Sequence, residues 1–156
     1  DDIETAVHYL SGEMTQGRIG IPYKALQAAA ATEAATQESL SIAEADRSLA
    51  AIAGNRGTGS AARRAAALRA LFSQATPAEQ DFLLRLVAGE LRQGALAGVM
   101  LEAIAAAADV PLTDVRRAAM YSKSLGAVAR TALLDGAESL ARFRLELFVP
   151  AAPMLA

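Results

Sequence analysis

Apolar side chains recur three and four residues apart through much of the chain. The clearest stripe is Phe82, Leu83, Leu86, Val87 and Leu91, a spacing that gathers all five on one wide face of an α-helix and marks that face as core. Ser41 and Glu44 supply a capping box ahead of IAEADRSLAAIA, and Thr76, Pro77 and Glu79 repeat the signal ahead of AEQDFLLRLVAGEL. In each, the hydroxyl and the carboxylate satisfy amide groups that a helix start leaves open. Ser60 is placed to cap AARRAAALRALF, Pro111 begins a helix through LTDVRRAAMYS, and further helices are predicted near residues 2–11, 22–31, 96–108 and 125–134. Residues 32–40, TEAATQESL, read as a polar connection. Only RFRLELFV, residues 142–149, alternates in the manner of a strand. The predicted fold class is all-α: a helical bundle with a short extended segment near the C-terminus.

The pattern also repeats. LSGEMTQG at 10–17 matches VAGELRQG at 87–94, and each copy leads through a glycine-containing turn into an alanine-rich helix, YKALQAAAA or LEAIAAAA. Two copies are too few for a solenoid. They imply two related helix-turn-helix halves with a pseudo-two-fold relationship, presenting similar turns on one surface.

Composition narrows the chemistry. Hydrophobic residues make up 53% of the 156 residues and aromatics 4%, so the core of a single domain is built from Ala, Leu, Ile and Val, which favours close helix packing. The chain has no cysteine and one histidine, His8. That removes disulfides, thiolate catalysis, the common zinc sites and histidine-based triads, and leaves His8 as a packing or helix-surface residue. No metal site and no catalytic constellation are expected. No charge-free run approaches the length of a membrane span and no leader pattern is present, so a cytoplasmic protein with no membrane partner is expected. The net charge of −2 says little about contacts made locally.

The remaining signal is in the turns. Glycine inside a helix costs about 1 kcal/mol relative to alanine, so breaks at Gly89, Gly94 and Gly98, with Arg92 in the gap, point to a backbone requirement. Glycine at a helix end permits left-handed dihedrals, and the next helix then offers open N–H groups and its dipole to an anion. Gly17 and Gly20 flank Arg18 in the first copy; Gly57, Gly59 and Ser60 lie among Arg56, Arg63 and Arg64 in GNRGTGSAARR; and Lys123 stands between two serines in YSKSLG. Phosphate is the ligand such turns suit. Taken singly, each turn also fits an ordinary glycine cap with solvated cations. GTGS lacks both the full phosphate-loop pattern and a preceding strand. A rival reading therefore stays open: an all-helical protein-interaction or dimerisation module that binds no nucleic acid.

FLLRLVAGELRQGALAGVMLEAIA, followed by VRRAAMYSKSLGAVA and closed by PMLA, resembles the N-terminal DNA-binding domain of ATP-dependent DNA ligases, especially the actinobacterial type. The resemblance implies a helical domain that grips the minor groove of nicked duplex DNA through phosphate and sugar contacts. Carried over residue by residue, it assigns DNA contacts to Arg92, Gln93, Gly94 and Gly98, to Gly17, Arg18 and Gly20, and to Gly57, Gly59 and Ser60. Arg56, Arg63 and Lys123 join these as nearby cations, although relatives often carry an acidic, GDLG-like turn where this chain has SKSLG. Residues 1–149 are then the DNA-binding domain, and 150–156 begin a linker to a nucleotidyltransferase domain, which acts with this one and with an OB domain. Neither Lys24 in KALQ nor Lys123 in KSLG fits the K-x-D-G motif of the adenylated lysine. This stretch should hold DNA as a monomer in the nucleoid but not seal it alone, while ATP and magnesium serve the complete enzyme.

Overall fold

The computed structural model describes residues 2–91 and 96–145, with only the main chain at 96 and 97. Among the described residues eight α-helices follow in order: α1 (Asp2–Leu10), α2 (Tyr23–Ala30), α3 (Ile42–Gly54), α4 (Ser60–Gln74), α5 (Pro77–Ala88), α6 (Leu96–Ala108), α7 (Leu112–Tyr121) and α8 (Leu125–Asp135). A 3-10 helix, Ala137–Arg142, comes last. Among the described residues there is no strand, and the all-α class stands.

Local chemistry explains most boundaries. Ser41 and Glu44 close a complete capping box on α3, as do Thr76 and Glu79 on α5. At α4 the structure corrects the expected cap: Ser60 is the first helical residue, and Gly59, at φ +75°, is the cap. The Ser60 amide donates to Gly57 O at 3.1 Å, so the preceding glycine turn, and not a hydroxyl, sets the start. Arg142 likewise ends the 3-10 helix and begins no strand. Its guanidinium donates to the Thr131 hydroxyl and pairs with Asp135 at 3.5 Å, which draws it onto α8. Phe143–Leu145 are irregular, and residues 146–149 of the expected extended segment lie outside the described residues, as do residues 150–156.

The chain forms two compact units, one from residues 12–92 and one from residues 1–11 together with 93–156. In the first, α2, α3 and α5 provide Leu26, Leu49, Ile52, Leu83 and Leu86 to a core around Leu68, Leu71 and Phe72 of α4. The connection at 32–40 is irregular, as its polarity implies, and is anchored at one end: Ala35 N donates to Ala75 O, while the buried Gln80 donates to Thr32 O and Phe72 O. In the second unit Val7, Ile104, Val115, Ala118, Val128, Ala129, Ala132 and Leu140 form the core. There α1 lies so close to α8 that a Cβ on Gly126 would come within 2.9 Å of the Glu4 main chain.

Candidate nucleic-acid interface

Two of the glycine turns belong to the unit formed by residues 12–92. The first leaves α1 through Gly12, at φ +71°, and continues through Gly17 and Gly20 at φ +65° and +62°. It is locked to α3: Thr15 Oγ1 donates to Asp46 Oδ1 at 2.6 Å, and Gln16 Nε2 donates to the same oxygen at 2.8 Å. Ile19 is buried, whereas Gly17, Arg18 and Gly20 are exposed. Between this turn and the end of α5 runs a cleft of about 410 Å³, with Arg18, Gly20 and Gly89 among its lining residues.

The second turn, Asn55–Gly59, leads into α4 and is built inside out. Arg63 donates to Asn55 Oδ1 at 3.2 Å, to Thr58 O at 3.0 Å and to Arg56 O at 3.0 Å. Arg64 Nε donates to Asn55 O at 3.1 Å, and Gly57 O and Gly59 O accept from Ser60 N and Arg63 N. Every carbonyl from Asn55 to Gly59 therefore has an internal donor. The N–H groups of Arg56, Gly57, Thr58 and Gly59 donate to no acceptor among the described residues, and all four residues are exposed. Such a turn shows amides to solvent and hides its acceptors, which makes it a favourable place for an anion.

The cations divide accordingly. Arg18 and Arg56 are exposed and make no side-chain hydrogen bond or ion pair among the described residues. Arg63 is exposed but occupied by the turn, and Ser60 is partly buried. Arg64 reaches Ile19 O at 3.4 Å as well as Asn55 O, so the turns bearing Gly17, Arg18 and Gly20 and bearing Arg56, Gly57 and Gly59 are tied together. Asp46 and Arg64 carry this scaffold; Arg64 was legible only as a nearby cation, and nothing in the spacing of the chain singles out Asp46.

The other predicted residues lie elsewhere. Arg92, Gln93 and Gly94 fall outside the described residues. Gly98 is exposed in α6, and Lys123 is exposed in the turn between α7 and α8; both belong to the second unit. In that turn Ser124 caps α8 through Ala127 N and meets His8 Nε2 at 3.2 Å, so His8 takes part in packing α1 on α8.

The described residues define an all-α fold with glycine turns and exposed cations as its candidate site. Among the described residues no three His, Asp or Glu side chains gather to hold a metal, and no helix is long and apolar enough to cross a membrane. The family described as DNA ligase N terminus matches residues 17–105, more than half of the chain, and the chain belongs to that family. Three bacterial relatives, each named "Probable DNA ligase", are similar to it over almost all its length. The protein of Anaeromyxobacter sp. is 52% identical over 95% of this chain and 29% of its own length. Those of Rhodococcus jostii and Mycolicibacterium gilvum are 50% and 49% identical over 99% and 100% of this chain, and over 31% and 30% of their own lengths. The chain thus spans less than a third of the relatives it matches.

Proposed function

We propose that this chain is the DNA-holding part of an ATP-dependent DNA ligase, gripping nicked duplex DNA as a monomer through minor-groove phosphate and sugar contacts. The observation that carries the reading is the Asn55–Gly59 turn: its carbonyls are all engaged internally while four consecutive amides and Arg56 face outward. Arg18, Gly17 and Gly20 form a second contact in the same unit; Arg92, Gln93, Gly94 and Gly98 extend the set on family likeness, and Lys123 joins it as an exposed cation on a turn. Neither lysine stands in K-x-D-G, so no step of nucleotidyl transfer is assigned to these residues. ATP, magnesium and the chemistry of sealing belong to nucleotidyltransferase and OB domains acting with this one, in the cytoplasm at the nucleoid.

Fluorescence anisotropy with a nicked duplex over a salt series tests this. Binding should be indifferent to sequence, and log affinity should fall linearly with log salt by about 0.9 per phosphate neutralised. Arg18→Ala and Arg56→Ala should each weaken binding and flatten that slope by about 0.9. A chain that ignores DNA at low salt would instead fit a protein-interaction module with solvated cations, and one that binds equally well without either arginine would remove these two turns from the interface.

A further inference from the structure

Arg63 and Arg64 are neighbours in α4 yet hold different things. Arg63 stays within its own turn, on Asn55, Arg56 and Thr58. Arg64 leaves it: Nε donates to Asn55 O at 3.1 Å, and Nη1 donates to Ile19 O at 3.4 Å, across a separation of 45 residues. Its side chain is partly buried and lines a small cavity of about 180 Å³ beside Gly20, Pro22, Ala25 and Ala61. Ile19 is itself only 7% exposed, so the carbonyl it presents is fixed by the core. A Cβ on Gly20 would lie 3.9 Å from Arg64 Nη1, which places the guanidinium directly against the first turn.

We infer that Arg64 is a positioning residue that holds the two turns in one register, so that Arg18 and Arg56 present their charges at a fixed spacing to a phosphate backbone. The functional half of this inference rests on the DNA-binding reading above. Its physical basis is the shape of the side chain. A planar guanidinium directs N–H groups along several fixed lines and satisfies two carbonyls from different chain segments. An ammonium is a point charge on a flexible stem and does not reproduce that fork. Arg64 thus acts through geometry, its charge being directed at carbonyl oxygens of the protein.

The test compares Arg64→Lys and Arg64→Gln with Arg18→Ala and Arg56→Ala in the 156-residue chain, by nicked-duplex anisotropy across salt and by hydrogen exchange of the free protein. Arg64→Lys should bind about tenfold more weakly even though charge is kept, because the bidentate geometry is lost. In the free protein, the hydrogen-bonded amides of Gly17 in the first turn and of Ser60 and Arg63 at the second should exchange faster together, while those of the α4 and α5 interiors keep their protection. Arg18→Ala and Arg56→Ala should weaken binding and leave exchange in the other turn unchanged. Wild-type affinity in Arg64→Lys with a defect only in Arg64→Gln would make Arg64 a charge contact and overturn the inference, as would unaltered exchange in both turns. If the wild-type chain failed to bind DNA, the proposed function would fall, and the exchange data would still decide whether Arg64 couples the turns.

Discussion

The paired substitutions Gly57→Ala and Gly59→Ala measure what the Asn55–Gly59 turn is made of. Both glycines have left-handed dihedrals, at φ +79° and +75°. Alanine there carries a conformational penalty of about 1–2 kcal/mol, offset by about 0.4–1 kcal/mol from the lower freedom of its unfolded state, for a net cost near 1 kcal/mol. The surroundings differ. A Cβ on Gly57 meets nothing within 4 Å, whereas a Cβ on Gly59 lies 3.1 Å from Arg63 Nη1. That nitrogen donates to Thr58 O, and its partner Nη2 to Arg56 O, so displacing the guanidinium by a few tenths of an ångström loosens both bonds. With a typical net hydrogen-bond contribution of about 1 kcal/mol, and some of it recovered by water at this exposed site, Gly59→Ala should cost about 1 kcal/mol more than Gly57→Ala. Urea unfolding followed by far-ultraviolet circular dichroism gives the stability difference, and anisotropy with nicked duplex gives the functional one, with Gly59→Ala the weaker binder. Equal effects would show that Arg63 does not brace the turn. A neutral Gly57→Ala would show that the left-handed geometry is dispensable.

Two further outcomes test the scaffold. Gly126→Ala puts a methyl group 2.9 Å from Glu4 Cα and O; overpacking of about 1–3 kcal/mol, less up to about 1 kcal/mol from better helix propensity, should leave a net loss of about 1–2 kcal/mol in urea unfolding, and a stabilised variant would refute the close approach of α1 to α8. At the start of α3 the Ser41 hydroxyl, then its amide, then the charge of Arg47 hold the Glu44 carboxyl below its ordinary range. A depressed folded pKa gives stability that is present above the ordinary carboxylate pKa and lost as pH falls through the folded value. The melting-temperature gap between wild type and Glu44→Gln should therefore close on acidification; a gap that widened would contradict the capping charge.

What the chain revealed in advance follows the range of each interaction. Helix starts at Ser41 and Thr76 are written within four residues, because the hydroxyl and the carboxylate that close the box are both local. The turns were legible for a similar reason, since left-handed backbone favours glycine and Gly17, Gly20, Gly57 and Gly59 all adopt it. The use of each arginine was not. Arg56, Arg63 and Arg64 look alike in GNRGTGSAARR, yet one faces solvent, one braces its own turn and one reaches Ile19, because no side-chain pattern encodes the main-chain carbonyls that Arg63 and Arg64 reach. Nor does periodicity announce two compact units. The packing of α1 on α8 turns on the missing Cβ of Gly126 against Glu4, a contact between distant segments.

The internal repeat gains a more specific meaning from that division. The chain passes between the units twice, after residues 11 and 92, and the copies at 10–17 and 87–94 span those two crossings. Equivalent glycines end the helices that lead into them: Gly12 at φ +71° and Gly89 at φ +77°. At Gly89 the amide donates to Leu86 O and the next amide, Glu90 N, to Arg85 O, a Schellman pattern that reverses the chain sharply. The helices themselves find different neighbours, with α1 against α8 and α5 against α2. Shared packing therefore does not account for the shared letters, and what the copies hold in common is the corner. The cations sit at different offsets around it, Arg18 two residues after Gln16 and Arg92 one residue before Gln93. A cap alone needs only the first glycine of each copy. The Gln-Gly pair that follows goes further, and in the first copy its work is visible: Gln16 fastens the corner to Asp46 while Gly17 turns the backbone toward the exposed Arg18. The duplicated element is thus a glycine corner, which in the first copy is fastened to α3 and carries an exposed positive charge.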